Sequence, residues 1–291
     1  MHKHIYYTIA DAFKKIANDH VNAYASQASF FIILSFFPFL MMLLTIIQYT
    51  PINKDFLISW TTRVTPDVID PLMEAISLEL FENTGGATII SITILLALWS
   101  ASRGVLSIIR GLNAVFQVED KRNYFLVRIL ACLYTLVFLA GILLSLAILV
   151  FGQGIYRMIE ENSTIIYNLL HIFMQQRWLI SICVLTLFFL IIYKALPAKK
   201  MSFSSLLPGA LVAALGWTIS SSAFSFYISY SPGFSYVYGS LTAFIIFMLW
   251  MYLGMYILLL GAEFNVYFRI KLQEYLIKTK EKLKQKKRQN N

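Results

Sequence analysis

The sequence predicts an all-α polytopic membrane protein with six transmembrane helices, cytoplasmic N- and C-termini, and amphipathic helices at the membrane interfaces. Three observations predict it. Apolar residues make up 58% of the 291 and charged residues 13%, at a mean hydropathy of +0.68. An ordinary soluble domain carries about 25% charged residues, so this chain lacks the polar groups to clothe a soluble surface. Six apolar runs, 28–49, 87–107, 126–152, 178–196, 206–230 and 239–262, have the length a bilayer core requires, about 20 residues. The 24 Lys and Arg also alternate between poor and rich connections: three in 1–27, two in 50–86, five in 103–128, two in 153–177, three in 194–200, none in 231–238 and nine from Arg269 onward. Cytoplasmic loops carry the excess of Lys and Arg, so both termini and the second and fourth connections are assigned to the cytoplasm. That division gives a cytoplasmic amphipathic N-terminal helix over 1–27, a six-span domain over 28–268 and a basic cytoplasmic tail over 269–291.

The N-terminal segment IYYTIADAFKKIANDHVNAY spaces Ile5, Ile9, Ala12, Phe13, Ile16 and Tyr24 near one face and puts Lys14, Lys15 and Asp19 on others, as an interfacial helix does. With Asp11, Lys14, Lys15 and Asp19 ahead of the first span, the start of the chain is not expected to be a cleavable leader. In span one, Pro38 removes one backbone hydrogen bond, which predicts a kink that serves packing or gating, with Ser35 able to satisfy a freed group. Residues 65–86 read as an outside amphipathic helix stopped by Gly85-Gly86, and 155–178 as a second such connection. In span five, Gly209, Ala213, Gly216 and Ser220 form a small-residue seam for close helix packing. Ser221, Ser225 and Ser229, followed by Tyr230, Tyr236 and Tyr238, make a hydroxyl stripe. It suits a wet cavity open to the outside, or equally interhelical hydrogen bonds and an aromatic belt. Trp99-Ser-x-Ser in span two and Trp217-Thr-x-Ser in span five run in opposite directions, a faint sign of inverted repeats.

Several functions are disfavoured by inventory. No H-E-x-x-H, Cys pair, P-loop or G-x-S-x-G occurs, and the cytoplasmic connections offer only Glu119, Asp120 and scattered single residues, too few to hold a metal for phosphodiester hydrolysis. His2 and His4 read as a terminus rather than a metal pair, Asp67, Asp70 and Glu74 as solvated helix charge, and Cys132 and Cys183 as small packing residues within spans. No enzyme, cofactor or metal site is expected. The net charge of +9 sits mostly in KTKEKLKQKKR, residues 278–288, beside the last span. That position favours anionic lipid headgroups, worth about 1 kcal/mol per basic residue, over nucleic acid.

Polar chemistry is therefore concentrated inside the bilayer. Span two carries Ser102, Arg103, Arg110 and Asn113 in its cytoplasmic half, and the long apolar run of span six ends on Glu263 and Asn265. A charge at mid-membrane costs about 2.5 to 3.5 kcal/mol and usually finds a partner. Glu263 is expected to pair with Arg103, or next with Arg110, near Asn113 and Asn265; snorkelling to the headgroups is the alternative. Arg103, Glu263, Arg110, Asn113, Asn265, Ser102, Ser221, Ser225 and Tyr238 are the candidate substrate-binding residues, and Pro38 and Ser35 the candidate kink or gate.

YASQASFFIILSFFPFL, LWSASRGVLSIIRGLNAVF, IIYKALPAKK followed by LLPGALVAALGW, and YGSLTAFIIFMLWMYLGMYILLLGAEFN resemble, in order and over nearly the whole chain, the YihY/virulence factor BrkB family. The resemblance implies a six-span protein of the bacterial inner membrane and cell envelope, with lipid or small-molecule transport as the expectation. Some members have carried a ribonuclease label that the residue inventory does not support. Residues and resemblance together favour a transporter or flippase-like carrier of an amphiphilic, anionic or lipid-linked substrate, driven without ATP. A non-transporting scaffold for envelope biogenesis is the alternative. Membrane lipids are the expected partners, and a homo-oligomer is compatible with the sequence.

Overall fold

A computed structural model of the chain describes residues 9–48, 87–162, 177–230 and 239–289. These residues form seven helices: α1 (Ile9–Asn18), α2 (Val21–Gln48), α3 (Ala87–Val115), α4 (Tyr124–Asn162), α5 (Arg177–Ala195), α6 (Phe203–Tyr230) and α7 (Gly239–Gln289). The proposed outside helix over 65–86, Tyr236 and Tyr238 lie outside the described residues. Four helical stretches among those described are long and apolar enough to cross a membrane, namely Tyr124–Leu144, Trp178–Ala195, Phe203–Ile228 and Phe244–Ile270, and Val21–Phe36 is a shorter apolar helix.

The boundaries differ from the sequence reading in three places. The N-terminal helix ends at Asn18, not near 27, because His20 adopts a left-handed backbone (φ 53°) and α2 restarts at Val21. A non-glycine residue in that region costs of order 1 kcal/mol, and His is among the residues that tolerate it best. α4 runs on to Asn162, so the first part of 155–178 is helical continuation of a span. α7 passes through Arg269 without a break, which makes the basic tail an extension of the sixth apolar run up to Gln289.

The helices close into a ring. α2 packs on α3, α3 on α4, α5 on α6, α6 on α7 and α7 on α2. Tyr134 donates its hydroxyl proton to the Ala195 carbonyl at 2.9 Å, and the Phe138 and Phe188 rings meet at 6.1 Å, joining α4 to α5. α7 also touches α3 across the interior. Close approach depends on missing side chains. A Cβ on Gly209 would overlap the Gly261 carbonyl oxygen and the Asn265 amide, and one on Gly261 would collide with the Tyr193 hydroxyl. The span-five seam is thus the α6–α7 interface, with Ala213 also against Gly261 and Gly216 against Ile257.

Among the described residues, the buried core lies toward one end. The core runs through Val21, Ala25 and Ala28 of α2, Ile109 and Leu112 of α3, Ala131 of α4, Phe189 and Tyr193 of α5, Leu206 and Ala210 of α6, and Leu258 to Val266 of α7. Beyond it, no residue of α6 from 215 to 228 or of α7 from 244 to 253 is buried. Between the two regions lies a chain of ring contacts, Phe189 to Trp217 at 6.2 Å, Trp217 to Trp250 at 5.3 Å, Trp250 to Phe247 at 6.2 Å and Phe247 to Phe36 at 5.6 Å, which links α5, α6, α7 and α2.

Candidate functional site

The buried end holds the polar side chains, and most of them are spent on backbone groups of a neighbouring element. Ser107 donates to the Tyr24 carbonyl at 3.1 Å, with Gln27 Oε1 at 3.0 Å. Asn113 accepts from the Ala198 amide at 2.9 Å and donates to Asp120 at 3.1 Å, so it ties the end of α3 to the connection that follows it and to the one between α5 and α6. Tyr193 donates to the Leu258 carbonyl at 2.6 Å. Asn265 Oδ1 accepts from the Gly209 amide at 2.6 Å, directly after Pro208. Its Nδ2 is buried with no partner among the described residues. α3 itself stops in a Schellman closure: Gln117 is left-handed (φ 53°), its amide reaches Ala114, and the Val118 amide reaches Asn113.

Glu263 does pair with a cation, but the cation is Lys15 and not Arg103 or Arg110. Lys15 Nζ lies 2.6 Å from Glu263 Oε2, is also paired with Asp19 one turn along α1, and donates to the Val115 carbonyl at 3.2 Å. That carbonyl belongs to the last turn of α3, where the helix dipole favours a cation. The side chains of Lys15 and Glu263 are only 11% and 8% exposed. The Lys15 pKa is raised: burial pushes it down, but the hydrogen bonds and charges of Asp19 and Glu263 outweigh that. Glu263 Oε1 has no partner among the described residues. α1 is therefore turned with Lys15 into the bundle and Phe13, 69% exposed, away from it. One ammonium holds α1, α3 and α7 together.

The other candidate residues do not join this cluster. Arg103 is exposed and lies over the rings of Phe31 at 5.3 Å and Trp99 at 6.0 Å. Arg110 lies two turns further along the same exposed face. Ser102 is buried and donates to the Trp99 carbonyl of its own helix at 2.8 Å. Ser221 accepts from Trp250 Nε1 at 3.3 Å across the α6–α7 contact, while Ser225 is on an exposed part of α6. Ser35 donates to the Ile32 carbonyl at 2.7 Å, so its hydroxyl does not serve a group freed by Pro38. α2 continues as helix through position 38. Sequence reasoning places Lys15 and Asp19 on the polar faces of an interfacial helix and misses their role in the cluster, although their spacing of four is visible. It also missed Arg128, counted only as a topology charge although it stands one turn inside an apolar span. Arg128 is buried, with its guanidinium 4.2 Å from the Trp99 ring.

Comparison with known proteins adds the family. The model of the virulence factor BrkB family matches residues 12–289. The chain belongs to that family. Among curated relatives, it is 34% identical over 241 residues to the ribonuclease-like protein YfkH of Bacillus subtilis (strain 168), covering 83% of this chain and 87% of the relative. It is 29% identical over 260 residues to a UPF0761 membrane protein of Vibrio campbellii (strain ATCC BAA-1116), covering 86% of this chain and 78% of the relative. A third relative, the UPF0761 membrane protein VP0125 of Vibrio parahaemolyticus, is 30% identical over 254 residues with the same coverage. No solved structure matches significantly. This BrkB-family chain is a multi-pass protein of the bacterial inner membrane.

Proposed function

We propose that this protein is a flippase-like carrier that moves an amphiphilic, anionic molecule across the cytoplasmic membrane, through six crossings with both termini in the cytoplasm. The observation that carries the reading is the asymmetry of the helix ring. One end is sealed by α1, whose Lys15 is pinned to Glu263 and to the end of α3, whereas the described parts of α6 and α7 beyond the aromatic chain have no buried residue except Gly254. A carrier must expose its path to one side at a time, and a seal made of a few charged contacts can be released. A buried ion pair is suited to that role: its Coulombic gain is largely offset by desolvation, so the seal can open when both charged groups regain water. No ATP-binding motif occurs in the sequence, so movement would be facilitated or coupled to an ion.

Among the described residues, no group of three or more His, Cys, Asp and Glu lies where a metal ion could be held. Asp120 is engaged by Arg122 at 2.7 Å and by Asn113, and Glu119 beside it is exposed on the same loop.

Purified protein reconstituted into vesicles with a headgroup-labelled anionic phospholipid tests the carrier reading. Membrane-impermeant quencher should reach label from both leaflets faster than in protein-free vesicles, and Lys15→Gln should alter that rate per incorporated protein. Quenching that stops at the outer leaflet for both proteins overturns the reading and leaves the scaffold.

A further inference from the structure

We propose that Arg128, Trp99 and Arg103 form a binding site for the phosphate group of an anionic phospholipid, at the junction of α2, α3 and α4. The inference goes beyond transport, since a resident lipid would occupy the site whether or not the protein moves anything. Arg128 is 8% exposed. Its Nη2 donates to the Trp99 carbonyl at 3.2 Å and its guanidinium lies 4.2 Å from the Trp99 ring, but its buried Nε has no partner. Arg103 approaches the same indole at 6.0 Å and Phe31 at 5.3 Å. Two guanidiniums thus lie within 6.0 Å of one aromatic ring, and among the described residues neither forms an ion pair with a carboxylate.

Such an arrangement is unfavourable as it stands. A buried cation without a counter-charge is costly, and ring faces offset only part of that cost. An oxyanion with several acceptor oxygens is the complement, because the planar guanidinium fork presents parallel N–H donors that match phosphate. The surroundings decide between a lipid phosphate and a free ion. Trp99 is 54% exposed, and Leu95, Leu96, Phe125 and Ile129 nearby in sequence on the same two helices are exposed as well. Those apolar side chains suit acyl chains below a headgroup, whereas a dissolved ion would gain nothing from them.

Native mass spectrometry of the full-length protein, delipidated and returned to mixed micelles of phosphatidylglycerol or phosphatidylcholine, tests the site. Wild type should retain phosphatidylglycerol in preference to phosphatidylcholine, and Arg128→Gln should weaken that retention at least tenfold. Arg103 is exposed, so Arg103→Gln will fold even if Arg128→Gln does not, and it should weaken retention several-fold. Millimolar inorganic phosphate should not displace the lipid. Equal retention by wild type and Arg103→Gln, equal retention of the two lipids, or displacement by inorganic phosphate would each overturn the assignment. A failure of transport alone would not touch it.

Discussion

The two ends of the helix ring are made from equally apolar helices and differ in what lies between them. At the buried end, Gly209 and Gly261 bring α6 and α7 to backbone contact, Gly104 brings α3 close to the backbone of α2 at Ala28 and Ile32, and Gly111 packs against the side chains of Tyr24 and Leu259. Polar groups there are bound to the backbones of neighbouring helices, and Lys15 adds a charged pin. Away from it, the contacts of α6 with α7 include large rings and the hydrogen bond from the Trp250 indole to Ser221. In a bilayer, apolar area gives helices little reason to prefer each other over lipid, and association depends on close packing and interhelical hydrogen bonds. The contrast teaches that, among the described residues, α6 and α7 are held by backbone contact in one region and by ring contacts in the other.

Substitutions can break that contrast. Gly209→Leu places bulk where even a Cβ meets the Gly261 carbonyl, and it should abolish accumulation in the membrane, measured by immunoblot of membrane fractions. Normal abundance would show that the seam is not a structural requirement. Next in size is Lys15→Met, which leaves Glu263 and Asp19 without their shared cation. Loss of one partner of a buried pair costs about 3 to 5 kcal/mol, seen as a lower melting temperature in detergent. Adding Glu263→Gln should cost much less than the sum of the two single changes. Arg103→Gln combined with Glu263→Gln should be additive, since the two residues do not meet. Reversal of those two results would return the pair to Arg103.

Smaller effects sharpen the comparison. Gly141 in α4 has nothing near its would-be Cβ. Gly141→Ala should be neutral or stabilise by up to about 1 kcal/mol, whereas the same change at Gly209 should destabilise. The smallest effect concerns pH. The hydrogen bond from Arg122, opposed by partial burial and aided by its charge and by Asn113, holds the Asp120 carboxyl below its ordinary value of 3.8. A lowered folded-state pKa means that the stabilisation is present above about pH 4 and lost as pH falls through the folded value. Asp120→Asn should therefore lower the melting temperature slightly at neutral pH, with the difference shrinking in acid. The raised pKa of Lys15 puts its contribution in full below its ordinary 10.5, to be lost as pH rises through the folded value.

Much of this was legible in the sequence. The apolar runs predicted helices, the small residues at spacings of three and four marked a close-packing face on span five, and Glu263 at the end of an apolar run was expected to find a cation or to snorkel to the headgroups. The identity of that cation was not legible. Lys15 is 248 residues away in the chain, on a helix whose amphipathic pattern turned its charges toward solvent, and pairing in α-helical bundles leaves no periodic trace across such distance. Arg128 was hidden for a related reason, because a cation near the end of an apolar run reads first as a marker of orientation.

By itself the sequence determined that the chain is helical and must live in lipid: 13% charged residues cannot solvate it, and a helix satisfies its own backbone wherever an apolar run enters the bilayer. Only the tertiary structure decided which end of the ring is closed, that α1 closes it through Lys15, and that Arg103 and Arg128 share Trp99. Those choices depend on which helix lies beside which and how each is rotated. Hydrophobicity along a chain is nearly indifferent to both when every neighbour, lipid included, is apolar.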